Sequence, residues 1–217
     1  SVVVNGIIVN SGTHITNHSS PGGIQLTGGT AQHTIGGVGT GRFDVLTIDD
    51  TFGASFTASQ QVDSVLNLIT GILNISTHQL TINSQAANAI VDDNAGDGAT
   101  NNFSVSRMIQ TAGNASDGGV NYFIGTTDTY LYPLGANGKY TPATLDINVV
   151  NANTGFVNLT PADNDLGTTE VTGGDLLSYY WRLTGSEFGA SDIPTVNSLI
   201  FNYDQSDVEA DVVSNYV

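Results

Sequence analysis

Three copies of one small unit lie in the stretch LNLITGILNISTHQLTIN, Leu66 to Asn83. Leu66-x-Leu68, Leu73-x-Ile75 and Leu80-x-Ile82 stand seven residues apart. A repeat of seven suggests a coiled coil, but that needs apolar residues at i and i+3 or i+4. Here the pairs stand at i and i+2, the period at which two side chains leave the same face of a strand. The spacers ITGI and STHQ carry β-branched and turn residues rather than strong helix formers. From Ser64 to Val91 there is no Asp, Glu, Lys or Arg, whereas a surface helix carries charge on its outer face. The pattern predicts very short strands joined by tight turns. That describes a β-solenoid, with a meander in a sandwich as the alternative.

The chain of 217 residues has room for one large β domain or two small ones. Gly is frequent, at 26 residues, and periodic helical segments are absent, so the class expected is all-β. The apolar fraction of 39% suffices for a core. Composition divides the chain. All eight Tyr and the one Trp follow residue 120, and all four His precede residue 80. Residues 1–100 are read as a short parallel β-solenoid, built from Gly, Thr, Asn and small apolar pairs. Residues 103–217 are read as a β-sandwich-like module. Its stretches NYFIGTTDTYLYPLG, ATLDINVVN, GFVNLT, LLSYYWRLTG and SLIFNYD read as strands bounded by turn residues, with aromatics filling a wider core. VDDNAGDGATNN, Val91 to Asn102, is the linker candidate.

Twenty acids against four bases give a net charge of −16. Nucleic-acid binding needs clustered Lys and Arg, so it is excluded, and an anionic membrane surface is disfavoured. Residues 1–90 hold four acids and residues 91–217 hold sixteen. With no Cys, thiol catalysis and Cys-based zinc sites drop out. No apolar run reaches the length of a membrane-spanning helix. Ser1 opens directly in SVVVNGIIVNSG without a signal-peptide pattern, so the expectation is a mature form or an excised fragment.

Several motifs bear on chemistry. GGVGTG, Gly36 to Gly41, is followed by the strand-like RFDVLTIDD rather than a helix, which argues against a dinucleotide loop. It also lacks the Asp and the repetition of a calcium-binding Gly-rich array, and a solenoid corner is the simpler reading. His14 and His18 have the spacing of a helical metal pair, but SGTHITNHSSPGG is no helix. His33 and His78 are read as lone residues in polar turns. The acidic loops are the best binding candidates: Asp92, Asp93, Asn94 and Asp97 in one, and Asp163, Asn164, Asp165 and Glu170 in the other. Both offer the oxygens that calcium needs, but a solvated turn is the simpler reading of each. Tyr179, Tyr180 and Trp181 raise the question of carbohydrate stacking. In a strand, Tyr179 and Trp181 share one face, which suits a core. Four bases are too few for a lyase acting on an acidic polymer.

FDVLTIDDTFGASFTASQQVDSVLNLITGILNISTHQLTIN is followed in order by the turn YPLG, the YTP before ATLDI, the strand YYWRLTG and the strand SLIFNYDQSDV. Over about residues 40–210 this order resembles the large, repetitive cell-surface proteins of Bacteroidetes. Many of those are exported by the type 9 system and some act as adhesins. The resemblance implies a non-enzymatic stalk or adhesive segment of a larger extracellular, cell-surface protein. Its partners would be neighbouring modules of the same chain or assembly, or surface glycans, with no membrane insertion. The alternatives are a carbohydrate-binding module and, behind it, a glycan-active enzyme on a β-helix.

Overall fold

A computed structural model describes residues 2–14, 23–92, 101–148, 154–164, 176–189 and 194–209. The described residues are nearly all β, with 59% strand and 2% helix, and they wind a parallel β-solenoid of about five turns. The first turn holds β1 (Val2–Val4) and β2 (Ile7–Val9). The second holds β3 (Thr13–His14), β4 (Ile24–Thr27) and β5 (His33–Gly36). Then come β6 (Gly41–Asp49) with β7 (Ala54–Phe56), and β8 (Gln60–Thr70) with β9 (Leu73–Ser76). The fifth turn holds β10 (Gln79–Ile82), β11 (Ile90–Val91) and β12 (Ile109–Thr111). β1, β4, β6, β8 and β10 stack in one sheet; β2, β5, β7, β9 and β12 stack in a second.

The three Leu-x-Leu/Ile units occupy three consecutive strands, β8, β9 and β10, and all six side chains are fully buried. The seven-residue interval separates successive strands of the coil, not stacked ones. Stacking follows an interval of about 20 residues: Leu46 lies beside Leu66, and Gln60 beside Leu80. Residues in register form columns along the core. Leu26, Ile48 and Leu68 make one, and Phe43, Val62, Ile82 and Tyr122 another. Across the coil, Ala54, Leu73, Ile109 and Leu134 make a third. Burying each such side chain contributes roughly 1.5–3 kcal/mol, the main force holding turns this short together.

The corners between the two sheets are tight. Gly71 has φ +89°, and a Cβ there would lie 2.0 Å from the Asp50 carbonyl oxygen of the turn below. Only glycine fits such a stack. GGVGTG is indeed a corner: it runs from the end of β5 to the start of β6, with Gly37 and Gly39 at positive φ.

After β12 the direction of pairing changes. β13 (Gly119–Ile124) and β14 (Asp128–Tyr132) are followed by β15 (Leu134–Ala136), β16 (Lys139–Tyr140) and β17 (Ala143–Asn148). β13 still lies parallel on β10, and β15 parallel on β12. Next come β18 (Gly155–Ala162), β19 (Leu176–Leu177), β20 (Tyr180–Ser186), β21 (Thr195–Phe201) and, after a 3-10 turn at Gln205–Asp207, β22 (Val208–Glu209). β18 and β20 extend the first sheet antiparallel to β13. β14, β17 and β21 form a separate antiparallel sheet. Tyr122, Tyr130 and Tyr132 meet edge to face between β13 and β14, ring centroids 5.3 and 5.6 Å apart, and fill the core at this transition. Among the described residues the expected sandwich is not a unit of its own, because β13, β18 and β20 belong to the solenoid's first sheet and share its core. That sheet runs through both compositional halves, from β10 directly to β13.

Candidate functional site

The charged side chains sit where successive turns must be fastened to one another. His33 corrects the turn reading made for it: it lies in β5, it is buried, and it faces a carboxylate. Its Nε2 is 3.0 Å from Asp50 Oδ2 and its Nδ1 is 3.2 Å from the Gly6 carbonyl oxygen. Asp50 also accepts the amide N–H of Phe52 at 2.9 Å and of Gly29 at 2.6 Å. These backbone donors, with the His33 ring behind them, hold its carboxyl below the usual Asp range. One cluster therefore joins the β1–β2 corner, β5 and the corner after β6. The 17-residue separation of His33 and Asp50 follows no motif, and only the winding brings them together.

Arg42 on β6 donates from Nε and Nη2 to both oxygens of Asp63 on β8 at 2.9–3.2 Å, and Asn83 Nδ2 reaches Asp63 Oδ1 at 2.7 Å. Three successive turns are linked there too. The pair is partly exposed, so its ionic contribution is small and its geometry matters more.

The first acidic loop is described only at Asp92. That carboxylate is buried, accepts the Asn102 amide N–H, and pairs with Arg107 Nη1 at 3.2 Å. Asp93, Asn94 and Asp97 lie outside the described residues. In the second loop Asp163 accepts Lys139 Nζ at 2.8 Å on one oxygen and Asn137 Nδ2 at 2.7 Å on the other. Asn164 is exposed, and Asp165 and Glu170 lie outside the described residues. Asn137 and Gly138, both at positive φ, make the tight hairpin between β15 and β16 that aims Lys139 at Asp163. Lys139 also donates to the fully buried Asp207, and these two carboxylates push its pKa up. The described acids at both calcium candidates thus already meet a cation. Among the described residues no group of three or more His, Asp and Glu is placed to hold a metal ion.

The acids do not all lie in wet turns as their local sequence suggests. Asp50, Asp92, Asp117 and Asp207 are buried. Asp117 accepts the Asn114 N–H at 3.0 Å, which closes a turn, and the Asp117 carbonyl receives Arg182 Nη2 at 3.4 Å. All four bases therefore serve internal contacts.

Tyr179 and Trp181 do share a face. Tyr179 is buried, with its ring 5.0 Å from that of Trp181 and burial pushing its pKa up. Trp181 stacks on Phe201 at 4.6 Å and donates its indole N–H to the Thr141 carbonyl at 3.0 Å. Trp181 and Phe201, both partly buried, pack together against the core between β20 and β21. His14 lies in β3 rather than a helix, and His18 is outside the described residues. Comparison of the chain with protein-family models, curated proteins and solved structures finds no match.

Proposed function

We propose that this chain is a non-enzymatic structural or adhesive segment of a larger extracellular surface protein, of the kind its motif order resembles in Bacteroidetes. The observation that carries the reading is the use made of its ionisable groups. His33, Asp50, Arg42, Asp63, Arg107, Asp92, Lys139 and Asp163 all fasten one strand or turn to another. General acid–base work needs titratable groups within hydrogen-bond reach of a substrate, whereas the His33–Asp50 pair is buried in a corner of the coil. A coil filled with stacked aliphatic columns extends a surface and spaces whatever lies at its two ends. The acidic exterior keeps such a spacer soluble.

Screening the purified chain against a panel of polysaccharides, with and without calcium, tests this. The expected result is no turnover of any glycan. Turnover would sink the reading. Saturable binding without turnover would replace the stalk with a carbohydrate-binding module.

A further inference from the structure

Lys139 is the only lysine among the 217 residues, and the other three bases are Arg. It stands where two carboxylates converge. Its Nζ donates to Asp163 Oδ1 at 2.8 Å and to Asp207 Oδ1. One ammonium balances one carboxylate, so the cluster holds a carboxylate in excess. Asp207 is fully buried, and among the described residues its Oδ2 has no hydrogen-bond partner. A buried charged oxygen without a partner is strongly destabilising.

The backbone fixes all three groups. Lys139 directly follows the hairpin residues Asn137 and Gly138. Asp163 donates its amide N–H to the Gly113 carbonyl at 2.9 Å, and its second carboxylate oxygen accepts Asn137 Nδ2. Asp207 ends the 3-10 turn, where its N–H donates to the Asp204 carbonyl at 2.9 Å and its own carbonyl accepts the Ser178 N–H at 2.8 Å. The buried Tyr179 hydroxyl, bonded to Thr141, lies close enough to feel both carboxylates. An amine, a carboxyl carbon and a second carboxylate able to carry a proton are thus assembled in advance.

We propose that Lys139 Nζ condenses with the Asp207 carboxyl group to form an intramolecular amide bond, with Asp163 as the proton carrier. One proton passes from Nζ to Asp207 within the ion pair, which leaves a neutral amine and a neutral acid. Nζ then attacks Asp207 Cγ, and the N–C bond forms. Asp163 takes a second proton from Nζ and hands it to the departing hydroxyl as the C–O bond breaks. Water leaves, one N–H stays on the new amide, and Asp163 is a carboxylate again. Nothing is oxidised or reduced, and no co-reactant is needed. Groups held in reacting position reach effective molarities of about 10⁵–10⁸ M, which is what drives a condensation that free amines and acids do not undergo in water. The two carboxylates raise the Lys139 pKa, so the free amine is scarce and closure follows folding. The bond replaces a buried charge with a neutral amide. It spans 68 residues and ties β16 to the turn before β22, closing a loop that contains β17, β18, β20 and β21.

Intact-mass measurement on the purified whole chain, followed by tryptic digestion, is the test. The expected mass is lower than that of the sequence by one water. In the linked chain trypsin cannot cut after Lys139, and residues 108–182 stay joined to residues 183–217. Lys139→Arg keeps the cation but has no amine to condense, so it should show the full mass. Asp163→Asn should leave a large share of the chain unlinked. A parent at full mass overturns the proposal without recourse to any variant. So does a water deficit that persists in Lys139→Arg or maps to Asp97–Gly98 or Asp117–Gly118, where an aspartyl imide loses the same water. Closure in Asp163→Asn as complete as in the parent overturns the proton-carrying role of Asp163.

Discussion

At the scale of single residues the most consequential group is Asp50. Its carboxylate gathers two backbone N–H groups and the His33 ring in one corner. Its folded pKa is depressed, so the stability it contributes is present above the unfolded Asp value, about 3.9, and is lost as pH falls through the folded value. Asp50→Asn should lower the melting temperature at pH 7. The gap to the parent should narrow steadily below about pH 4, where the parent's own carboxylate takes up a proton. Melting curves from pH 2.5 to 8 on both proteins check this; a gap that stays constant across the range refutes the account. Tyr122 offers a second, pH-independent case. Its hydroxyl accepts the Ala89 N–H at 2.8 Å and lies 2.9 Å from the Ala87 carbonyl, so it pins the excursion between β10 and β11. Tyr122→Phe removes the shorter bond to the Ala89 N–H, which keeps the Ala86 carbonyl at 3.3 Å, and should cost about 0.5–1.5 kcal/mol in denaturant unfolding.

At the scale of elements, the strands between residues 60 and 82 behave as their spacing dictates. Leu73 is in register with Ala54 on one side and Ile109 on the other, and no solvent reaches it. Leu73→Ala should lose roughly 2–5 kcal/mol, read from urea unfolding at constant slope. A loss under 1 kcal/mol would mean that the column closes over the gap. The strand period of Leu66 to Ile82 was legible because a pleated chain repeats its faces every second residue whatever its surroundings. The stacking interval was not, because it depends on corner lengths, and these differ: β4 to β6 spans 22 residues where β6 to β8 spans 20 at the matching position. The C-terminal strands were legible one by one, yet their membership of the solenoid's own sheet was not. Nothing local in NYFIG says that one edge of Tyr122 meets Ile82 in parallel and the other meets Val157 in antiparallel. His33 and Asp50 were hidden for the same reason, since the corner that unites them is made by winding.

At the scale of the whole molecule, each turn touches only its neighbours, so stability should be graded along the coil. β1 and β2 have one neighbouring turn and are largely exposed, while β8, β9 and β10 have a turn on each side and buried core positions. Hydrogen exchange followed by mass spectrometry should show peptides of residues 2–9 opening well before those of residues 60–82. Uniform protection across both would overturn a nearest-neighbour account. The same stacking has a mechanical meaning. Ladder hydrogen bonds point from strand to strand, which in a solenoid is the direction of the long axis. A pull applied between the two ends therefore loads the turns in series, like links of a chain, and none of them shares the tension with another. The force such a chain withstands is that of its weakest link. The His33–Asp50 cluster and the Arg42–Asp63–Asn83 contact each bridge three turns, so they act as tie rods across the links, the first over turns one to three, where tension would otherwise peel the end turn away, and the second over turns three to five.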